Sequence, residues 1–430
     1  MYPNLHFFLK DLFNIEPWGF TKYVNSFGFL VAIAFVVAAF ILRSELMRRE
    51  KLGLLKPADE KMMIGEPASK LELFLHFIFG FIIGYKLTGI FFNGDQINPQ
   101  DYIFSKEGNI YGGLLLASLF TYTKYREKKK LALAKPTLKT FKVWPHERVG
   151  DITVIAAITG FLGAKIFDNL ENWDRFIQNP IGNLLSPSGL TFYGGLILAT
   201  ISILVFARKK GISIRHLVDS AAPALMIAYA IGRIGCHISG DGDWGVFNSA
   251  NTVNEDNKIV LAADSSFRQT LINNPDYTDQ LVREYNGSIN NIPYAYFKGS
   301  SLLPNWFWAY NYPHNVNEIG VQIAGCKGNY CTQLNPPVFP TTLYEIIACT
   351  ILFLVLWLSR KKITAPGRIF GLYLFLNGME RFLIEKIRVN TTYSIWGFHP
   401  TQAELISSFL MLVGILIWIR TKSPKTILNA

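Results

Sequence analysis

The chain is poor in charge and in cysteine. Charged residues make up only 17% of its 430 residues, whereas hydrophobic residues make up 50%. This balance excludes one or two ordinary soluble domains and indicates an integral membrane protein. Of the four cysteines, Cys326 and Cys331 lie close together in a polar stretch, where they could form a disulfide or remain free thiols.

Known chemical motifs are also missing. The sequence has no phosphate-binding loop, no zinc-ligand spacing and no nucleophile elbow, so we predict neither a metal nor a cofactor. Residues 1–18 lack the basic region, apolar run and cleavage site of a signal peptide. Phe7, Phe13 and Trp18 instead predict an interfacial helix at the N-terminus.

Nine apolar segments are long enough, or nearly so, to cross a hydrocarbon core of about 30 Å, which takes roughly 20 helical residues. The third of them is short. The sequence therefore predicts an all-α polytopic membrane protein with about nine transmembrane helices. The segments lie near 24–42, 71–92, 110–123, 150–167, 190–206, 217–236, 342–358, 368–387 and 402–419.

The net charge of +11 could suggest nucleic-acid binding, but the positions of the basic residues argue against it. Alternate loops hold 27 of the 42 Lys and Arg residues, whereas 93–109 and 168–189 hold one each. This pattern predicts an N-terminus outside the membrane and a C-terminus inside. The basic loops then anchor to membrane lipids, and the polar stretch 237–340, which has no spanning segment, forms a small external head domain.

One internal repeat is visible. Residues 84–87 (GYKL) and 111–114 (YGGL) match residues 163–166 (GAKI) and 193–196 (YGGL). The lysine and the tyrosine are 25 residues apart in the first copy and 28 in the second. The repeat predicts a duplicated helical hairpin; the alternative is chance similarity between glycine-rich helices.

Four cations fall within apolar helices, at Lys86, Lys165, Arg233 and Arg381. A charge inside the membrane usually faces a polar cavity or a partner. The two lysines lie near the outer ends of their helices, where they could instead snorkel to the headgroups.

Arg233 begins a glycine-rich stretch that runs to Gly245. Its planar guanidinium could hold a phosphate, or it could pair with Asp241 or Asp243 as a staple at the helix end. The neighbouring Cys236 and His237 are not expected to form a catalytic pair, because adjacent residues on a helix point about 100° apart.

A second charged pattern occupies one helix face, where Arg381, Glu385 and Arg388 are spaced i, i+4 and i+7 together with Asn377. The pattern could bind a ligand, or it could be a neutral pair that only helps helices pack.

Residues 232–245 (GRIGCHISGDGDWG) resemble the signature of prolipoprotein diacylglyceryl transferase. Three further stretches resemble that family in the same order. They are residues 193–195 (YGG), 340–345 (PTTLYE) and 377–388 (NGMERFLIEKIR). The usual member of the family has seven helices, which leaves residues 71–135 of this chain without a counterpart.

The sequence also departs from the family pattern. Tyr193 stands where the family has a histidine, Cys236 where it has an asparagine, and Phe27 where it has a tyrosine. Phe339 replaces a histidine, and the signature glutamate is represented by Asp241 or by Asp243. The family residues suited to anion binding are therefore retained in this chain better than those suited to proton transfer.

The resemblance implies transfer of the diacylglyceryl group of phosphatidylglycerol to the lipobox cysteine of a preprolipoprotein, with release of glycerol phosphate. It implies a bacterial inner membrane protein with a periplasmic head domain and no nucleic-acid partner. The implied catalytic residues are Arg233, Arg381, Glu385, Tyr193, Asp241 and His237. The implied substrate-binding residues are Arg233, Gly245, Arg381, Arg388, Lys165 and Cys236.

With this resemblance the chain divides into five parts, whose boundaries are stated here as predictions. They are 1–70, an interfacial segment and the first helix; 71–149, an extra hairpin and a basic cytoplasmic loop; 150–236, core helices; 237–340, the head; and 341–430, the C-terminal core helices.

Two other functions remain open: a lipid or solute transporter, and an inactive relative that binds envelope proteins through its head.

Overall fold

The computed structural model describes residues 1–93, 102, 105–186, 189–263, 266–285, 287–388, 393 and 397–421. Fifteen α-helices are found in these residues, with short strands and three single 3₁₀ turns. In chain order the helices are α1 (Leu5–Phe13), α2 (Ser26–Lys51), α3 (Lys70–Asn93), α4 (Ile110–Leu131), α5 (Val149–Glu171), α6 (Trp173–Gln178), α7 (Pro180–Leu185), α8 (Phe192–Lys209), α9 (Ile214–Ser239), α10 (Ser266–Ile272), α11 (Pro275–Glu284), α12 (Asn305–Trp308), α13 (Thr341–Ser359), α14 (Arg368–Glu385) and α15 (Gln402–Arg420).

The strands are short and pair two by two. They are β1 (Ala58–Ile64), β2 (Thr137–Val143), β3 (Phe247–Asn248), β4 (Asn251–Val253), β5 (Ile259–Leu261), β6 (Tyr294–Ala295), β7 (Val321–Gln322) and β8 (Thr332–Gln333). The longest pair is antiparallel and runs in register from Ala58 opposite Val143 to Ile64 opposite Thr137.

The prediction of an all-α polytopic membrane protein is confirmed. Each of the nine predicted segments is a helix, and within the described ranges seven helices are both long and apolar enough to cross a membrane. The other two are more polar. Helix α4 ends in three consecutive lysines, and α14 contains Glu380, Arg381 and Glu385.

The chain folds into two compact units. The first comprises Met1–Phe8, Asn25–Leu42 and the described residues from Arg215 onwards. The second comprises Leu9–Val24 and Arg43–Ile214.

The second unit contains two helical hairpins, α3 with α4 and α5 with α8. In the first hairpin a Cβ at Gly84 would collide with the backbone of Gly112, and in the second a Cβ at Gly163 would collide with the backbone of Gly194. Because glycine has no Cβ, each pair of helices can approach closely. These four glycines occupy matching positions in the sequence repeat.

Each hairpin also has a lysine that binds the loop closing it. Lys86 Nζ donates hydrogen bonds to the carbonyl oxygens of Ser105 and Glu107 at 2.7 and 2.8 Å. Lys165 Nζ donates to the carbonyl oxygens of Ser186 and Gly189 at 2.9 and 3.3 Å. The two ammonium groups therefore act as loop clamps, in agreement with a duplicated hairpin.

The membrane helices of the first unit pack around an apolar core between α9, α13 and α14. This core contains Ala222, Met226, Ala230, Cys349, Leu356 and Ile369. The buried Asp219 of α9 fixes the start of α14, because its carboxylate accepts hydrogen bonds from the N–H groups of Gly367 and Phe370 at 2.8 and 2.9 Å. An acid at this helix start is favoured by the unpaired N–H groups and the helix dipole.

The polar stretch between α9 and α13 has its own small core, which belongs to the same unit. Its fully buried members include Leu271, Tyr312, Leu334 and Val338. Cys326 and Cys331 are joined as a disulfide, which settles the alternatives left open by their spacing.

Candidate active site

Three elements of the first unit meet at Gly245, which follows the end of α9. Its N–H donates to the carbonyl oxygen of Phe339 at 2.9 Å, and the next N–H, of Val246, donates to Ile387 at 2.9 Å. A Cβ at Gly245 would lie 2.7 Å from the carbonyl oxygen of Ile387 and 2.8 Å from Thr341 Cγ2. Gly245 therefore lets the end of α9, the start of α13 and the end of α14 come together.

Four charged side chains form a network at this meeting point. Arg233 and Arg388 both bind the carboxylate of Asp243. Arg233 Nε lies 3.1 Å from Glu345 Oε2, and Arg388 Nη1 lies 3.9 Å from the same oxygen. Two cations thus share two anions, and the network is neutral.

Glu345 is the most buried member of this network, with a side chain that has no exposed surface. Its other carboxylate oxygen, Oε1, accepts a hydrogen bond from the Tyr229 hydroxyl at 2.9 Å. The ring of Tyr229 lies 5.2 Å from the Arg233 guanidinium, at cation–π distance. Tyr229 therefore orients both the cation and its counter-ion.

Arg381 is bound differently from the other two arginines. Its Nη2 pairs with Glu385 Oε2 at 2.8 Å, the i, i+4 pair that the sequence pattern indicates. Its Nη1 is buried and has no hydrogen-bond partner among the described residues. Burying a hydrogen-bond donor without a partner costs about 1–3 kcal/mol of free energy. This nitrogen is therefore suited to donate a hydrogen bond to a ligand.

Glu380 lies next to Arg381 on α14 and is 4% exposed. In the part of the chain that the structure describes, neither of its carboxyl oxygens has a hydrogen-bond partner. Electrostatic interactions link Glu380 to Glu345 and to three guanidiniums, those of Arg233, Arg381 and Arg388. Glu380 is therefore within electrostatic range of all three guanidiniums, although Arg233 and Arg381 share no acid.

Asp241 and Asp243 lie in contrasting electrostatic environments. Burial raises the pKa of the Asp241 carboxyl above its usual value. The Cys236 sulfur lies within 4.8 Å of a carboxylate oxygen of Asp241. Burial also acts to raise the pKa of Asp243, but the Arg233 and Arg388 guanidiniums outweigh it and hold that pKa below its usual value. Asp241 is therefore the stronger base of the two.

Cys236, Asp241 and Asp243 have ligand atoms within 4.8 Å of one another, which is a spacing that could hold a metal ion. The Asp243 carboxylate, however, is already bound by two guanidiniums. These residues fit a metal poorly for that reason, and the prediction that the protein needs none stays a prediction.

His237 is hydrogen-bonded at the boundary between the membrane helices and the polar region. Its Nδ1 lies 2.9 Å from Thr342 Oγ1 and 3.3 Å from the Tyr312 hydroxyl, and these two oxygens lie 3.0 Å apart. His237 therefore contacts the first turn of α13, and it does not share the Arg233 ion pairs.

Two of the predicted site residues, Tyr193 and Lys165, belong to the second unit. Tyr193 lies in the first turn of α8, half-buried beside Phe192, with ring centroids 5.9 Å apart. Lys165 is buried and bound to the loop carbonyls of its hairpin. Their roles toward a substrate stay predictions.

Sequence reasoning missed three residues of this site. Tyr229 lies one helical turn before Arg233, and this i, i+4 spacing was a signal that could have identified it. Glu345 ends the family-like stretch 340–345, but nothing local indicated its two arginine partners. Glu380 adjoins a predicted site residue, yet no pattern distinguished it from a lipid-facing or solvated acid.

Comparison with known proteins agrees with the motifs. A sequence profile described as prolipoprotein diacylglyceryl transferase matches residues 131–420, so most of the α3–α4 hairpin lies outside the match. The phosphatidylglycerol–prolipoprotein diacylglyceryl transferase of Shouchella clausii is 26% identical over 332 residues, covering 76% of this chain and 91% of the relative. The protein of the same name from Dehalococcoides mccartyi is 25% identical over 297 residues, covering 67% of this chain and 86% of the relative.

A third relative, the protein of that name from Corynebacterium diphtheriae, is 23% identical over 275 residues, covering 63% of this chain and 77% of the relative. The profile spans the whole segment that contains Arg233, Glu345, Arg381 and Arg388. The chain belongs to the prolipoprotein diacylglyceryl transferase family.

Proposed function

We propose that the chain transfers the diacylglyceryl group of phosphatidylglycerol to the lipobox cysteine of a preprolipoprotein in the bacterial inner membrane. The observation that carries this proposal is the buried Nη1 of Arg381, which has no hydrogen-bond partner among the described residues. Its neighbour Glu380 interacts electrostatically with the guanidiniums of Arg233, Arg381 and Arg388. The family membership and the names of the relatives support the same reaction. The placement of basic loops supports a cytoplasmic C-terminus and a periplasmic head.

Arg381 is the best candidate for direct contact with the lipid phosphate. Arg233 and Arg388 already satisfy Asp243 and Glu345, so their charges are largely balanced within the protein. Arg381 has one partner, Glu385, and one buried nitrogen available for an acceptor. Arg233 and Arg388 would then position Asp243 and contribute to the local field.

In the proposed reaction the cysteine sulfur forms a bond to the carbon of the diacylglyceryl group that carries the phosphate oxygen. The bond between that carbon and the phosphate oxygen breaks, and its electron pair leaves with glycerol phosphate. Negative charge therefore grows on the leaving phosphate as the bond breaks. Preorganised guanidinium groups in a site of low dielectric stabilise that charge without having to reorganise.

The thiol proton needs an acceptor, because a thiol with a pKa of about 8.5 is mostly protonated at neutral pH. Four of the implied catalytic residues could accept a proton: Tyr193, Asp241, His237 and Glu385. We assign this role to Asp241. The guanidiniums bind Asp243 instead, burial raises the pKa of Asp241, and the Cys236 sulfur lies within 4.8 Å of the Asp241 carboxyl. A substrate thiol could take the place of Cys236 at this carboxyl.

If Asp241 accepts the proton, Asp241→Asn lowers the transfer rate about 100-fold at pH 7. The loss shrinks above pH 9, where the substrate thiol ionises without help. The measurement is the rate of peptide modification against pH, with Asp256→Asn, an exposed acid of the polar region, as the control. An equal loss at both pH values assigns Asp241 a structural role.

The whole proposal is tested by complementation of a bacterial strain depleted of this transferase, together with an assay in proteoliposomes. We expect growth, and transfer of radiolabelled diacylglycerol from phosphatidylglycerol to a lipobox peptide. Lipid flux across the bilayer without modified peptide identifies a transporter. Capture of an envelope protein by the isolated membrane protein, without consumption of lipid, identifies an inactive binding relative.

A further inference from the structure

The polar region between α9 and α13 exposes an apolar loop. Residues 294–308 (YAYFKGSSLLPNWFW) contain five aromatic or aliphatic side chains that are strongly exposed in addition to Tyr294. Leu302 is 89% exposed and Trp306 is 51% exposed. The exposed members are Tyr296, Phe297, Leu302, Leu303 and Trp306. A contiguous apolar surface of this kind normally marks an interaction site.

The loop is held in a defined conformation at its base. The side chain of Asn248, which is fully buried, donates to the carbonyl oxygens of Phe297 and Trp308 at 2.9 and 3.1 Å. Its own amide oxygen accepts from the N–H of Phe297 at 3.2 Å. One residue therefore ties the two ends of the segment 297–308 together, and the apolar side chains between them point away from the core.

Contacts with α13 place this loop at the level of the membrane surface. The Tyr344 hydroxyl, in the first turn of α13, donates to the carbonyl oxygen of Phe307 at 2.6 Å, and the two rings lie 5.1 Å apart. Helix α13 is one of the seven helices able to cross the membrane, and it starts directly after the polar region. Its first turn therefore lies where the chain enters the bilayer.

The loop also lies on the side of α13 that faces lipid. Ile347 and Ile351 follow Tyr344 at spacings of three and seven residues, so all three share one helix face. Both isoleucines are exposed, as expected of side chains that contact lipid. A loop packed on Tyr344 is continuous with this face.

We propose that the segment 297–308 inserts its leucines and Trp306 into the interfacial layer of the outer leaflet. Tryptophan and tyrosine favour this layer because an apolar ring and a polar edge are both accommodated there. Residues 294–308 contain one cation, Lys298, and no acid, so the loop suits an anionic lipid surface. The inference depends on the membrane position of α13 and is independent of the transferase reaction.

A spin label at position 302 tests the proposal in the complete protein, reconstituted in vesicles of phosphatidylethanolamine and phosphatidylglycerol. The free native cysteines, Cys236 and Cys349, are buried, so a Leu302→Cys variant can be labelled selectively. We expect the label to collide more often with oxygen than with a water-soluble nickel chelate. The control is Leu261→Cys, at an exposed leucine on β5, where the chelate should collide more often.

Equal access of the nickel chelate at positions 302 and 261 overturns the proposal. Shielding of position 302 that appears only after a lipobox peptide is added also overturns it, because the loop would then receive the peptide instead of lipid. Shielding in vesicles without peptide, lost when the protein is returned to detergent, is the result that supports it.

Discussion

Arg381→Ala should reduce diacylglyceryl transfer about 10³-fold, the loss typical when a donor to a developing negative charge is removed. In the structure Arg381 is the arginine of this site with a buried nitrogen left without a hydrogen-bond partner in the described residues. Its other contact, to Glu385 at 2.8 Å, fixes the direction of the guanidinium. The substitution therefore removes the donor and also releases the Glu385 carboxylate.

The measurement is the rate of peptide modification in proteoliposomes at saturating peptide. Arg381→Lys keeps the charge but not the planar fork, so it should recover only part of the activity. Arg420→Ala removes an exposed arginine at the end of α15 and serves as the matched control.

Arg233→Ala should also abolish transfer, because it releases Asp243 and Glu345. Full activity in both alanine variants would exclude a phosphate role for this site.

Glu345→Ala should have the largest effect on stability and lower the free energy of unfolding by about 3–5 kcal/mol. This is the usual cost of breaking a buried ion pair by removing one partner. The Glu345 side chain is fully buried and serves Tyr229, Arg233 and Arg388 at once. Without Glu345, Asp243 is the one acid of the network that remains to pair with Arg233 and Arg388. The site should therefore lose both its stability and its shape.

Thermal unfolding can be followed by the reaction of a thiol-specific dye with Cys236 and Cys349, which are buried in the folded protein. Glu404→Ala is the control, since Glu404 pairs with an exposed lysine and completes the capping box at the start of α15 with Thr401. Loss of that cap should lower the free energy of unfolding by about 1 kcal/mol. Similar unfolding temperatures for the two variants would show that the buried network contributes little.

The helices of this protein could be predicted from hydropathy because a spanning helix needs an apolar run of known length. The segment 368–387 is helical as predicted, but Glu380, Arg381 and Glu385 keep α14 out of the seven described helices that are apolar enough to cross a membrane. The polar region was not predictable in detail. Its strands have two or three residues each, too few for an alternating pattern to show.

The site was predicted in part. For Arg233 the sequence left open a pairing with Asp241 or with Asp243, and the structure shows the pairing with Asp243. The spacing placed Arg388 on the same helix face as Arg381, and in the structure Arg388 shares its acids with Arg233. The Arg388–Asp243 and Arg233–Glu345 pairs join residues that are more than a hundred positions apart. Helical spacing carries information only along one helix and could not predict them.

The lysine clamps have a further consequence for how the chain acquired its two hairpins. A hairpin whose closing loop is tied down by its own ammonium group, and whose helices meet through its own glycines, contains the contacts that define its shape. Such a piece could be copied in one genetic event and inserted elsewhere in the chain without new partners having to arise first.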